Sequence, residues 1–545
     1  MTTQNPTDFP IAPEFEGFFW QWDKLHAPRT LTPLEHELLL ETTGAGFTKA
    51  ITELGSTIQA VCRLINYYQY LTGVPLEDLG GETPEERHAR YEKNVAELLP
   101  KVGEKWEKEW FPSILPALEK GRTADYAKLS DADLLRALDE MREDVLYRWY
   151  IHGLILYSFV TANVFADFYK EALQASDDKE GYEALQGFPS VALESSQGLW
   201  RLSRTVRSNP ELRRLFETTQ AEELRGKLNQ SEAGRAFVKE LNAYLEDFGW
   251  RADSVYELTR PAWREDPRIP LGAIQGYVSI GDDGGPDAQY NAAVQRREEL
   301  LAEARRKLAG DPAKLARFNE LYDAAKSFTP IVEDHNHWID QMGDILIRYP
   351  VLEIGRRLTA KGSIAAAEDV FLLRRSEIRE AVAGKDEKTL VAQRRAEMER
   401  FAKVVPPLYI GAPAPPSGDP VEDVLIRFFG LPVEPSADPS VINGIAASPG
   451  TARGPAKVVR SLNEASKLSP GDIMVCEMTL PPWTPLFATV SGIVADTGGI
   501  LSHCAIVARE YRLPCVVGTA IGTSVIKDGM TLTVDGTRGI VRIES

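Results

Sequence analysis

The chain reads as a multidomain protein, with a large, mainly α domain followed by a small α/β domain. Three observations predict this division. Apolar residues recur at three- and four-residue spacing through most of Leu31 to Phe401, the period of amphipathic helices. Composition breaks at Val404, where prolines crowd Pro406-Pro407 and Pro413-Ala414-Pro415-Pro416. After Val441, short β-branched runs alternate with glycine and proline, as strands and turns do. We place the boundaries at 1–403 for the helical domain, 404–440 for a proline-rich linker and 441–545 for the α/β domain.

Within the helical region, Val95 to Trp110, Asp131 to Tyr150 and Ala292 to Leu308 mix charged and apolar residues at helical spacing. Tyr157 to Tyr169 is apolar on most sides, which predicts a buried helix. The linker's prolines predict a semi-rigid spacer. Beyond it, Ala456 to Val459, Ile473 to Cys476, Gly492 to Ala495 and Cys515 to Gly518 read as strands. Thr531 to Val534 and Gly539 to Ile543, joined through Asp535-Gly536, predict a terminal hairpin. One helix, His503 to Tyr511, interrupts the strands.

Bulk properties narrow the function. The 545 residues carry a net charge of −18, which argues against a nucleic-acid partner, since such proteins show a basic footprint. The four cysteines form no CxxC pair, so neither a zinc site nor a disulfide framework is expected, and no metal ligand set is assigned. The N-terminus has no basic segment followed by an apolar core. No apolar run is read as long enough to span a membrane. The expected location is cytoplasmic, with no membrane partner.

The sharpest local signal is Thr497-Gly498-Gly499-Ile500-Leu501-Ser502-His503-Cys504. Ser502 is a favourable N-cap, which places His503 in the first turn of its helix. Unpaired N–H groups and the positive helix end favour an anion there. They are also expected to lower the histidine pKa, leaving a neutral, nucleophilic imidazole. Gly498 and Gly499 allow close backbone approach, and Thr497 and Ser502 offer hydroxyls to phosphate oxygens. His503 is therefore read as a phosphoryl-carrying histidine, with Thr497, Gly498, Gly499 and Ser502 stabilising the phosphate. An idle histidine in a helix's first turn is the bland alternative.

Thr497 to Gly518 resembles the signature of the mobile phosphohistidine domain of phosphoenolpyruvate-utilising enzymes. Asn443 to Gly450, Asp528-Gly529 and Val534-Asp535-Gly536 extend the resemblance over roughly 440–545. Arg512 stands where the family usually has glycine, so it must take a left-handed conformation or end the helix differently. The resemblance implies a small α/β swivelling phosphohistidine domain behind a large, mainly α substrate-binding domain.

Weaker likenesses to the substrate-binding domain of rifampin phosphotransferase and the large subunit of phenylphosphate synthase lie upstream. They are Trp22 to Leu34, Phe248 to Arg251, Pro261 to Pro267, Glu333 to Trp338 and Gly362 to Phe371. They imply a hydroxyl-bearing, often aromatic acceptor, with Trp22, Asp23, His26, Arg251 and Arg348 as substrate-binding candidates. Proton transfer from that hydroxyl needs a base, and His335, His337 and Asp340 form the densest acid–base cluster. His337 and Asp340, three apart, are expected to share a helix face.

No GxxxxGK[ST] loop occurs. The resemblance implies ATP and Mg²⁺ bound mainly by a separate ATP-grasp subunit, which loads His503. This chain would then pass the phosphoryl group to a small phenolic or alcohol substrate. An antibiotic phosphotransferase subunit and a non-catalytic phosphocarrier are the alternatives.

Overall fold

The computed structural model describes residues 8–176, 179–252, 255–279, 281, 284–412, 420–430, 433–480 and 483–544. The core of the proline-rich connector, Pro413 to Gly418, and Pro432 lie outside the described residues. The chain divides into two compact units. The first comprises Met1–Tyr157, Ser254–Arg260 and Trp338–Asp423, and the second Ser158–Asp253, Pro261–His337 and Val424–Ser545. Both units therefore draw on the long helical stretch, and the α/β sheet belongs to the second.

In the first unit, helix Glu41–Leu54 packs along helix Asp131–Ile155. The two backbones meet closely at Gly46, where an added Cβ would stand 2.4 Å from the Leu146 carbonyl oxygen. Leu34, Leu38, Leu134, Val145, Ile354 and Phe371 belong to the core around them. A four-stranded sheet was not foreseen in this stretch. Its strands are β1 (Trp20–Trp22), β2 (Ile58–Ile65), β3 (Tyr68–Pro75) and β4 (Tyr409–Ile410), in the order β2-β3-β1-β4. The β2–β3 hairpin turns at Asn66 and Tyr67, both at positive φ (49° and 69°). Tight hairpins need that geometry and usually obtain it from Asn-Gly, so a tyrosine at the second position hid the turn.

The second unit holds a helical portion and the sheet. Helices Val191–Ser208, Glu232–Phe248 and Arg268–Val278 enclose Leu199, Phe216, Phe237, Leu241 and Trp263. The sheet strands are β5 (Val441–Asn443), β6 (Ile445–Ser448), β7 (Thr451–Val458), β8 (Ile473–Cys476), β9 (Gly492–Ala495), β10 (Cys515–Val517), β11 (Thr531–Asp535) and β12 (Ile540–Ile543). Their order is β5-β12-β11-β7-β8-β9-β10-β6. β7 to β10 run parallel, and β8, β9 and β10 are buried along their whole length. Such continuous apolar runs are what parallel strands covered on both faces require. The expected terminal hairpin is present, with Thr533 opposite Arg542.

One expectation is corrected. The helical stretch Asp131–Leu173 is long and apolar enough, by length and composition, to cross a membrane. Its charged residues lie from Asp131 to Arg148 and again at Asp167, Lys170 and Glu171, which leaves an uncharged window between them. That window is 67% buried inside the protein, so core packing accounts for its composition.

Candidate functional site

The site forms where the parallel strands end. Loops leaving the carboxyl edge of a parallel sheet converge, and ligands bind there in open α/β sheets. Thr479 follows β8, the diglycine loop follows β9, and His503 opens helix His503–Glu510. Asp496, buried just after β9, holds the next loop by accepting hydrogen bonds from the Thr519 hydroxyl (3.1 Å) and from the Thr523 backbone and hydroxyl.

The His503 ring lies between two threonines. Its Nδ1 is 3.1 Å from Thr479 Oγ1 and its Nε2 is 3.4 Å from Thr484 Oγ1. The Phe487 ring meets it edge-on. Burial pushes its pKa down to about 3, opposed only by a hydrogen bond to the Thr479 backbone. Desolvation, more than the helix end, therefore keeps the imidazole neutral. A ring proton on the Thr479 side leaves the Nε2 lone pair facing the Thr484 hydroxyl.

The residues read as phosphate-stabilising are arranged differently from a simple anion cradle. Ser502 is the N-cap by backbone conformation, but its buried hydroxyl donates to the Gly499 carbonyl (2.8 Å). The Thr497 hydroxyl donates to the Glu477 carbonyl (2.8 Å). The N–H groups of Gly499 and Leu501 donate to the carbonyls of Phe428 and Arg427, at the end of helix Pro420–Phe429. This contact explains the diglycine. Gly498 has φ 100°, and an added Cβ at Gly499 would stand 2.3 Å from the Arg427 carbonyl oxygen. Arg512 takes the left-handed conformation (φ 56°), and the Leu513 N–H bonds back to Ala508 to close the helix. Cys504 is buried, with its Sγ 3.8 Å from that of Cys515.

Beside Thr484 lies a cavity of about 240 Å³ within the same unit. Leu185, Phe188, Leu193 and Pro330 supply apolar wall, and Glu333 and Thr484 face it from the polar side. Thr479, Thr484 and Glu333 were not singled out from sequence as site residues. The run Thr479-Leu480-Pro481-Pro482-Trp483-Thr484, two hydroxyls flanking a rigid proline pair after an apolar strand, was the available signal.

The Glu333 to Trp338 motif divides its labour. Asp334 Oδ1 accepts the Val191 N–H (2.9 Å), and burial pushes its pKa up to about 6. His335 Nδ1 bonds the Ile331 carbonyl (2.7 Å), its pKa pushed down to about 4 by burial. His337 Nδ1 accepts from Arg251 Nη2 (2.7 Å), and the Arg251 guanidinium lies over the Trp263 ring. His337 closes the second unit, whereas Asp340 belongs to the first, 3.8 Å from His152 Nε2. The helix is a π-helix over Asn336–Met342, whose wider turn removes the three-residue alignment assumed for His337 and Asp340.

The remaining sequence-predicted residues sit in the first unit. Asp23 Oδ1 is 2.8 Å from His26 Nδ1. Trp22 is a core residue that donates its indole N–H to the Ala27 carbonyl (3.1 Å). Buried Arg348 donates to the Leu258 carbonyl (2.7 Å).

Residues 468–539 match the family model described as PEP-utilising enzyme, mobile domain, so this segment is similar to that of the PEP-utilising enzymes. Residues 150–333 match the rifampicin phosphotransferase fourth domain. The chain is 35% identical, over 99% of its length, to the chondramide synthase cmdD of Chondromyces crocatus, covering 14% of that protein. It is 33% identical over 75% of its length to the uncharacterized phosphotransferase YvkC of Bacillus subtilis, covering 49% of it. To the rifampicin phosphotransferase of Streptomyces sviceus it is 28% identical over 65% of its length, covering 40%. The chain thus spans about half, or less, of the length of these relatives.

Proposed function

We propose that this chain carries a phosphoryl group on His503 Nε2 and delivers it to the hydroxyl of a small, phenolic acceptor. The observation that carries the reading is the ring's setting. Burial keeps it neutral, Thr479 holds the Nδ1 side, and Nε2 faces Thr484 at the rim of a cavity. A neutral imidazole is the nucleophilic form, and a retained Nδ1 proton makes it a neutral leaving group when the phosphoryl group moves on. The donor in this proposal is a separate ATP-grasp subunit that binds ATP and Mg²⁺, with the proline-rich connector as the tether on which the histidine domain swivels. The match of residues 468–539 to the mobile-domain family model supports the carrier role in it. A rifampin-like antibiotic acceptor is the second reading, favoured by the match over 150–333.

Incubation with labelled ATP, with and without a candidate ATP-grasp partner, tests the reading. The expected result is acid-labile phosphate on His503 only with the partner, and none on His503→Ala. Efficient labelling by this chain alone would overturn the two-component arrangement, and labelling that survives His503→Ala would overturn the site.

A further inference from the structure

The cavity beside Thr484 adjoins the carrying atom, and its size and lining can be compared with what would have to enter it. Its volume of about 240 Å³ exceeds the ~150 Å³ in which an engineered apolar cavity holds benzene. It falls below the ~300 Å³ at which sites for drug-sized ligands begin. One substituted ring fits within it. The wall is apolar along Leu185, Phe188, Leu193 and Pro330, so the body of the guest is apolar too. Glu333 is buried in the same wall and interacts electrostatically with Arg251, which in turn donates to His337.

We propose that this cavity is the acceptor pocket for a single-ring phenol or comparably small alcohol, and that Glu333 accepts the proton of its hydroxyl. The inference rests on His503 being the phosphoryl carrier. In the step, the acceptor O–H proton passes to the Glu333 carboxylate while the acceptor oxygen forms a bond to phosphorus. The phosphorus–Nε2 bond breaks, its electron pair remains on Nε2, and the ring keeps its Nδ1 proton. The products are neutral His503, the phosphate monoester and protonated Glu333. Thr484, which lines the cavity and lies 3.4 Å from Nε2, marks the point of contact between guest and carrier.

The experiment loads the full chain chemically with potassium phosphoramidate, which needs no partner subunit, and follows loss of phosphohistidine with and without 4-methylphenol. Wild type is expected to discharge faster with the phenol and to yield 4-methylphenyl phosphate. Glu333→Gln should load normally but lose that acceleration by about 100-fold, the low end of what a positioned base supplies. Its residual rate should lose the pH dependence that Glu333→Asp retains. Ala192→Trp and Ala292→Trp fill the cavity from two different helices at positions that are not fully buried, and each should abolish the phenol effect while leaving loading intact. Phenol-accelerated discharge at the wild-type rate in both tryptophan variants would overturn the pocket, as would a loaded wild type indifferent to the phenol. Wild-type acceleration in Glu333→Gln would overturn the base. Failure to load His503 at all would instead count against the carrier reading.

Discussion

Burial acts to opposite effect on histidines and carboxyls, and the groups nearest the candidate site in the second unit differ from those in the core of the first, although His36 in the first and Asp334 in the second follow the same rule. In the second, burial strips histidines of their proton, with His503 pushed down to about 3 and His335 to about 4. In the first, burial keeps carboxyls protonated, with Asp344 pushed up to about 8 and Glu35 to about 7. The physical cause is the same penalty on charge, applied to a base in one case and an acid in the other. At neutral pH the second unit therefore presents an uncharged imidazole at His503. The first has an interior that holds Asp344 in its protonated form. Desolvation alone does not make a site. In the second unit it coincides with hydroxyls on both ring nitrogens and an adjoining cavity, and that combination points to chemistry.

The largest expected effect tests the contrast itself. A raised carboxyl holds a proton in the folded state that the unfolded chain releases near pH 4. The Asp344 and Glu35 contributions are therefore full below that pH and decline as pH rises toward 8 and 7. A lowered histidine works the other way. Its contribution is full above about pH 6.5 and is lost as pH falls toward 3 or 4. Each proton contributes a slope of about 1.4 kcal/mol per pH unit. Urea unfolding across pH 4–8 should show Asp344→Asn removing part of the decline with rising pH. An unchanged slope would take Asp344 out of the comparison.

A smaller effect is expected at the diglycine. Gly499→Ala forces a Cβ to within 2.3 Å of the Arg427 carbonyl oxygen, and overpacking of this kind costs about 1–3 kcal/mol. Thermal unfolding should show the loss, whereas Gly226→Ala, with open space around it, should not. The smallest effect concerns the ring itself. Thr484→Val keeps the shape but removes the hydroxyl at Nε2, which should slow phosphoramidate loading roughly fivefold, or about 1 kcal/mol. Loading at the wild-type rate would show that the hydroxyl does not help position the ring.

Much of the second unit was legible in order along the chain. The apolar runs at 473–476, 492–495 and 515–518 became parallel strands, and Ser502-His503 opened the helix as expected. Of the two outcomes expected where a glycine is missing, Arg512 takes the left-handed one. Less could be read where the partners are distant in sequence. The diglycine looked like a phosphate cradle, but its tight fit is to helix Pro420–Phe429, a neighbour that no local spacing reveals. Glu333 was hidden beside two histidines that drew attention, although it is the member of that motif that lines the cavity. The β2–β3 hairpin escaped because Asn66-Tyr67 forms by tertiary support a turn that tyrosine does not favour alone.

By itself the sequence determined the histidine at the head of its helix, that helix, and the alternation of strands and turns that carries it. These depend on near neighbours, since periodicity, capping and turn chemistry act over a few residues. The tertiary structure decided what surrounds the ring. Thr479 and Thr484 reach it from the loop after β8, burial sets its protonation, and a cavity with Glu333 in its wall adjoins it. Desolvation and shape are properties of the packed interior, so no stretch of sequence states them before the chain has folded.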